Sequence, residues 1–254
     1  MITVHHLNNS RSQRILWLLE EAGLDYEIRK YMRDATTMRA PQALRDIHPL
    51  GKSPVISDGE TVIAESGAIV EYLVDTYAPA LKPEAGTPAY RDYVYWMHFA
   101  EGSLMTPLLL KLISDQMPKS KAPFFVKPVI RQVAARLRSS FVDPELASLF
   151  GFIESHLEGR EWIAGDAFSG ADIQLTFPLE AAAARGGLDE RYPNLKAYVA
   201  RMQARSAYKA AIERGGAYGI VEERSERGNV FRKKKSGGEI REQIHDGARP
   251  PARI

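Results

Sequence analysis

Three short stretches of this chain bring hydroxyl, amide and charged side chains to places where the backbone offers unpaired groups. The first, Asn8-Asn9-Ser10-Arg11-Ser12-Gln13-Arg14, joins an apolar strand-like run to a helical one. The free N–H groups and dipole of a helix start favour an anion there, although Ser and Asn are equally what an N-cap requires. The second, Leu50-Gly51-Lys52-Ser53-Pro54-Val55-Ile56, puts a proline at the opening of a strand, where no ladder donor is needed. With a cis bond at that proline, the Ser53 N–H and C=O turn outward and can pair with an extended peptide. The sequence leaves the isomer open. The third, Glu65-Ser66, stands at a helix start, as a cap or as a receiver for the ammonium and carboxylate of an amino-acid ligand.

Other candidates carry less chemistry. Ser169 and Asp172, ahead of the apolar stretch Ile173 to Ala184, form a capping box with Asp in place of the usual Glu or Gln. Its expected role is structural. His5 and His6 are strand neighbours whose side chains face opposite ways, so they cannot share one metal. Adding His48, His98 and His156 gives no metal-ligand spacing, and all five are assigned to packing or surface. Cysteine is absent. That removes disulfides, thiolate metal sites and any sulfur nucleophile supplied by the protein. No metal is expected.

The elements that must hold these groups alternate over the first 80 residues. Ile2 to Leu7 reads as a buried strand, Ser10 to Gly23 as a helix with Ile15, Leu18, Leu19 and Ala22 on one face, and Tyr26 to Tyr31 as a second strand. A weak helical segment spans Thr37 to Asp46. Two strands, Pro54 to Ser57 and Thr61 to Ala64, flank the Asp58-Gly59 hairpin signal. A helix from Ser66 places Ile69, Leu73 and Tyr77 inward and closes before Pro79. The Pro-rich stretch from Ala78 to Pro88 reads as a linker. Beyond it everything is helical. One long helix carries Tyr90, Val94, Met97, Leu104 and Leu108, with Tyr90, Tyr93, Tyr95 and Trp96 expected in core or inter-domain contacts and one or two of them open as lining for an electrophile pocket. A second runs from about Pro128 to Leu157 with a break near Pro144. Shorter helices follow at 171–185, 194–205 and 207–213.

Composition sets the class. The hydrophobic share of 44% and charged share of 26% are those of an ordinary globular protein, and no apolar run approaches the roughly 20 residues that span a bilayer. The opening MITVHHLNNS lacks the basic start and apolar core of an export signal, so the expected address is cytoplasmic. The net charge of +2 lies in the last 36 residues, which hold nine Lys and Arg against six Asp and Glu. The other 218 hold 25 against 26, which gives no sign of a polyanion partner. Only nine of those last 36 residues are hydrophobic, and the Arg232-Lys233-Lys234-Lys235 run suits a solvated, disordered tail rather than a nucleic-acid or membrane arm.

Taken in order, HLNNSRSQRILWLLEEAGLDYE, HPLGKSPVISDG and AESGAIVEYL closely resemble the cytosolic glutathione transferase family, of the bacterial, serine-type kind, over roughly residues 1 to 217. The resemblance implies a thioredoxin-like α/β domain (1–80), a linker (81–88) and an all-α helical domain (89–218), with 219–254 as the tail. It implies a cis Pro54, and a Ser53 backbone that pairs with the cysteinyl unit of glutathione. It puts Glu65 and Ser66 at the γ-glutamyl end, Lys52 near the glycyl carboxylate, and Ser10 in the place of the catalytic hydroxyl, with Asn9 and Ser12 open as substitutes. It implies a homodimer and a glutathione co-substrate, with no further cofactor.

The reaction so implied is attack of the glutathione sulfur on a small hydrophobic electrophile, or reduction of an organic hydroperoxide by the same thiolate. The lack of cysteine counts against branches of the family that form mixed disulfides. The alternative from another class is a non-catalytic glutathione-binding or regulatory protein of the same fold.

Overall fold

The computed structural model describes residues 1–34, 36–37, 39–185 and 187–216. The tail expected at 219–254 lies outside the described residues. The N-terminal half runs β1 (Ile2–Leu7), α1 (Ser12–Glu21), β2 (Tyr26–Tyr31), α2 (Gln42–Arg45), β3 (Val55–Asp58), β4 (Thr61–Ala64) and α3 (Ser66–Tyr77). Its sheet has the order β2-β1-β3-β4. β1 pairs parallel with β2, Val4 facing Ile28, and antiparallel with β3, Val4 facing Ile56. The parallel pair needs a crossover, which α1 supplies. The β3–β4 register pairs Asp58 with Thr61, leaving a two-residue Gly59-Glu60 loop whose Gly59 has φ +58. This is the thioredoxin-like α/β arrangement followed by a helical half.

α1 and α3 bury apolar faces, with Ile15, Leu16, Leu18, Leu19, Ile69 and Val70 fully inside. Tyr77 departs from its expected inward position and is 41% exposed. Each step of four residues turns the apolar face by about 40°, so two steps from Ile69 carry Tyr77 to the edge. There its hydroxyl donates to Asp58, as does that of Tyr72 at 3.0 Å. The helical segment expected over 37–46 is only the four residues of α2. Pro41 disfavours helical geometry in the residue before it, and it adopts extended geometry itself.

The second half holds α4 (Pro88–Phe99), α5 (Met105–Gln116), α6 (Lys127–Leu137), α7 (Asp143–His156), α8 (Gly170–Ala184), α9 (Pro193–Ala204) and α10 (Ser206–Gly215). The two long helices expected here are each interrupted by a π turn, Ala100–Leu104 between α4 and α5, and Arg138–Val142 between α6 and α7. A helical proline withholds an N–H from the carbonyl four residues earlier and crowds it. For Pro107 that carbonyl belongs to Ser103, and for Pro144 to Ser140. Both lie inside the π turns, so the wider turn replaces the chain break expected near Pro144. Tyr93 and Trp96 are buried as expected, whereas Tyr95 is 49% exposed and packs its ring on Trp96, Phe99 and Phe152.

α8 threads the middle of this half with only Ala183 of its 15 residues not buried. Its start is the Ser169–Asp172 box. The Asp172 carboxylate accepts from the Ser169 N–H (2.8 Å), the Ser169 hydroxyl (2.9 Å), the Ile163 N–H (3.0 Å) and the Tyr198 hydroxyl (2.6 Å). The two halves are clamped by α10 lying on α1, where the Gln13 amide donates to the Ala211 carbonyl at 2.7 Å. A Cβ on Gly215 would press on the Gln13 amide and the Leu16 methyl, so a larger residue there would have to push them aside. Lys82 adds a second clamp, pairing with Glu71 and Asp75 of α3 below the rings of Tyr90 and Tyr93.

Candidate active site

β1 ends at Leu7, and the chain must turn sharply to enter α1. Asn9 makes the turn in the left-handed region, at φ +50, which Asn tolerates better than most residues. Asn8 anchors the loop: its N–H donates to the Tyr31 carbonyl at 3.1 Å, and its side-chain oxygen accepts from the Arg33 N–H at 2.8 Å. Ser10 is thereby turned inward and left 5% exposed. Its hydroxyl lies 2.7 Å from that of Ser12 and 3.1 Å from that of Ser53, and it accepts the Ser12 N–H at 3.3 Å. The Ser12 hydroxyl reaches His6 Nδ1 at 2.9 Å. Burial, helped by the Lys30 charge, lowers the His6 pKa to about 4, so the ring is neutral near pH 7.

The Ser53–Pro54 bond is cis. Ser53 lies outside the β3–β4 ladder, which begins at Val55 paired with Ala64. Across the mouth, Glu65 opens α3 at φ +73, a conformation L residues other than Asn and Asp seldom adopt. Its side chain is exposed and makes no cap bond, whereas Ser66 is 3% exposed. Lys52, Ser53, Glu65 and Ser66 line a single cavity of ≈ 200 Å³, joined there by Arg11 and His48. Ser10 is not in the wall. It stands one hydrogen bond behind Ser53 and adjacent in sequence to Arg11.

The rim is closed by Glu101, carried in from the helical half on the first π turn. π turns recur where a helix must re-aim a functional side chain. The Glu101 carboxylate accepts from Arg11 Nε at 3.1 Å through both oxygens and from Arg14 Nη2 at 2.7 Å. Arg14 is buried, donates also to the Gln174 carbonyl at 2.7 Å, and lies with Arg11 against the Phe177 ring at 5.1 and 5.2 Å. A larger cavity of ≈ 680 Å³ opens between α3 and α4, sharing Glu65, Ser66 and Glu101 with the first.

The chain that carries this cleft is similar to known proteins in sequence and in fold. Residues 1–75 match the family model described as glutathione S-transferase, N-terminal domain, and residues 140–206 the one described as glutathione S-transferase, C-terminal domain. Glutathione S-transferase 3 of Schizosaccharomyces pombe is 37% identical over 84% of this chain and 88% of its own. The chain belongs to the glutathione S-transferase family. Glutathione S-transferase 1 of Saccharomyces cerevisiae is 33% identical over 86% of this chain and 97% of its own. Among solved structures, a glutathione S-transferase from Actinobacillus pleuropneumoniae is similar at 36% identity and TM-score 0.72, covering 87% of this chain and 96% of that one. A sphingomonad glutathione S-transferase, solved in complex with glutathione, is similar at 25% identity and TM-score 0.63, covering 84% of this chain and 98% of that one.

In this transferase Lys52, Ser53, Glu65 and Ser66, all expected at the site from sequence, share one cavity, and Ser10 stands behind it. Three further residues of the cleft carry no such expectation. His48, assigned to packing or surface, lines the cavity, and its Nδ1 is buried with no hydrogen-bond partner among the described residues. Its place beside Pro49, just ahead of the Lys52-Ser53 turn, was the available signal. Arg11 was in view within the first stretch but carried no assigned role. Glu101 had no local signal, because its partners are 87 and 90 residues away in sequence.

Proposed function

We propose that this glutathione transferase binds glutathione along the cavity from Lys52 to Glu65 and delivers the sulfur, as thiolate, to small hydrophobic electrophiles. The observation that supports this reading is the placement of Lys52, Ser53, Glu65 and Ser66 around one cavity whose Ser53 end is hydrogen-bonded to Ser10. Glu65 receives the ammonium of the γ-glutamyl unit, and Ser66 with the first N–H groups of α3 its carboxylate. The Ser53 backbone pairs with the cysteinyl unit, and Lys52 and His48 face the glycyl end. The cysteinyl sulfur then lies at the Ser10 end of the cleft.

A free thiol with pKa near 8.5 is only a few per cent ionised at pH 7. Donation from the Ser10 hydroxyl, the N-terminal N–H groups of α1 and the Arg11 charge all favour the thiolate over the thiol. The thiol proton leaves to solvent. The sulfur lone pair then forms a C–S bond as the leaving group departs with its bonding electrons, so the reaction needs no resident cofactor. With a hydroperoxide the same thiolate attacks the terminal oxygen, the O–O bond breaks to release an alcohol, and a second glutathione displaces water from the resulting sulfenic acid to give the disulfide. The ≈ 680 Å³ cavity touches neither Ser10 nor Ser53, so it is not where an electrophile meets the sulfur. We assign that face between α3 and α4 to a second copy of the chain, in a homodimer. The reducing cytoplasm is the compartment that keeps glutathione as a thiol and suits a chain without cysteine.

Turnover of glutathione with an aryl halide, and with cumene hydroperoxide, tests the reading. Saturable conjugation is expected. Glutathione binding without turnover of either substrate would favour the non-catalytic alternative instead.

A further inference from the structure

We propose that His6 is a positioning residue for the thiol-activating step. Its Nδ1–H tautomer fixes the direction of a hydrogen-bond chain so that the Ser10 proton points at the glutathione sulfur. The inference rests on the reading of Ser10 as the sulfur's donor and goes beyond it, to what makes that hydroxyl a donor rather than an acceptor.

A serine hydroxyl has one proton and two lone pairs, and Ser10 has three oxygen or nitrogen neighbours already. The chain is His6 Nδ1 to Ser12 Oγ (2.9 Å), Ser12 Oγ to Ser10 Oγ (2.7 Å), Ser10 Oγ to Ser53 Oγ (3.1 Å) and Ser53 Oγ to the His5 carbonyl (3.4 Å). Neutral His6 carries a single N–H, so two arrangements exist. With the proton on Nε2, the bare Nδ1 takes the Ser12 proton. The 2.7 Å contact must then be made by the Ser10 proton, and Ser10 shows the ligand only lone pairs, which a thiolate repels. With the proton on Nδ1, His6 donates to Ser12, whose own proton goes to Ser10 at 2.7 Å in preference to the Leu7 carbonyl at the limiting 3.5 Å. Ser10 now accepts twice, from the Ser12 hydroxyl and the Ser12 N–H, and its proton is directed outward.

That outward direction is toward Ser53 and the cavity. Without ligand, the proton rests on Ser53 at the longer 3.1 Å contact, and Ser53 gives its own to the His5 carbonyl. Every hydroxyl in the chain then donates once, and the series ends on a carbonyl. Chains aligned in one sense polarise each other and strengthen the terminal donor. The bound sulfur replaces Ser53 as the acceptor. No proton moves along the chain; His6 sets only which oxygen donates to which. Burial keeps the imidazole from taking a second proton near neutral pH.

The direct test is the nitrogen-15 spectrum of the histidine rings in the full-length protein with glutathione bound, the His6 signals being identified by their loss in His6→Asn. A protonated Nδ1 and a bare Nε2 are expected. The Nε2–H form would overturn the inference while leaving the transferase reading intact. The functional arm compares His6→Leu, which removes the donor, with His6→Asn, whose amide N–H can take the Nδ1 place. His6→Leu should raise the pKa of the bound thiol by about one unit and lower kcat roughly 10-fold, with KM for glutathione unchanged. His6→Asn should restore most of both, and neither variant should matter once Ser10 is alanine. A His6 effect that persists in Ser10→Ala, or that moves only the melting temperature, contradicts positioning. Should Ser10→Ala itself keep the wild-type thiol titration, the reading of Ser10 fails, and this inference with it.

Discussion

α1 and α8 both begin at buried serines, and the two starts have opposite fates. At α8, Asp172 is wholly inside and receives four hydrogen bonds from Ser169, Ile163 and Tyr198. Burial still pushes its carboxyl above the usual carboxylate range, against those donors. Of that knot only Ser169 borders a cavity, one of ≈ 160 Å³, and its hydroxyl is already given to Asp172. At α1, Ser10, Ser12 and His6 form an equally buried series, but the series runs out through Ser53 into an open cleft. The same residue type serves the fold where all its partners belong to the protein and, on the function proposed above, serves a ligand where the network borders an open cleft.

The largest effect expected from breaking this contrast is at the closed start. Asp172→Ala strands four donors, two of them backbone N–H groups. At about 1–3 kcal/mol for each buried unsatisfied group, partly relieved by water, we expect a loss of about 3 kcal/mol or more. A thermal melt should show a fall on the order of 10 °C, while glutathione affinity of the folded fraction stays at the wild-type value. The open cleft answers differently. Glu65→Ala and Ser66→Ala should each cost about 1.5–3 kcal/mol of glutathione binding, roughly 10- to 100-fold in Kd by calorimetry. Their melting temperatures in the absence of ligand should change far less than that of Asp172→Ala. Equal affinities for both variants and wild type would remove those residues from the site.

Acid should separate the two starts as well. The folded pKa of His6 lies below its unfolded value of about 6.5. Its contribution to stability is complete above pH 6.5 and declines as pH falls toward 4, because the unfolded chain binds the proton first. The decline is at most about 3 kcal/mol, and His5, shifted the same way, adds to the slope. Asp172, shifted upward, gives no such loss on acidification. Melting temperature measured from pH 7 to pH 4 should fall less steeply in His6→Leu than in wild type. The smallest effect is expected from Ser169→Ala, about 1 kcal/mol as for other caps, with glutathione kinetics untouched.

Local features of this protein were legible in its sequence and tertiary ones were not. The Ser169–Asp172 box needs four residues and was read correctly as structural. The β-α-β-α-β-β-α order follows from apolar periods of two and 3.6 residues and a Gly59 turn. Tyr77 was misplaced because a face counted in fours drifts around the helix. The π turns were missed because a helical proline shows only that a carbonyl four residues earlier, of Ser103 for Pro107 and of Ser140 for Pro144, loses its donor, not whether the helix then breaks or widens. Lys52-Ser53 and Glu65-Ser66 each stand at the mouth of a strand or helix, which is a local property. That Glu101 meets Arg11 and Arg14, and that His6 backs Ser12, depends on how the halves and layers pack, which periodicity does not encode.

The central claim is that the α1 start lowers the pKa of bound glutathione, and the ultraviolet absorbance of the thiolate measures it directly. In the wild-type complex the thiol should titrate about two units below its free value near 8.5, equivalent to about 2.7 kcal/mol of preference for the thiolate. In Ser10→Ala, which keeps the α1 N–H groups, the midpoint should move back up and turnover should drop on the order of 100-fold, with glutathione affinity little changed. A bound thiol that titrates at its free value in the wild-type protein, or a Ser10→Ala variant with the wild-type midpoint and turnover, would contradict the account.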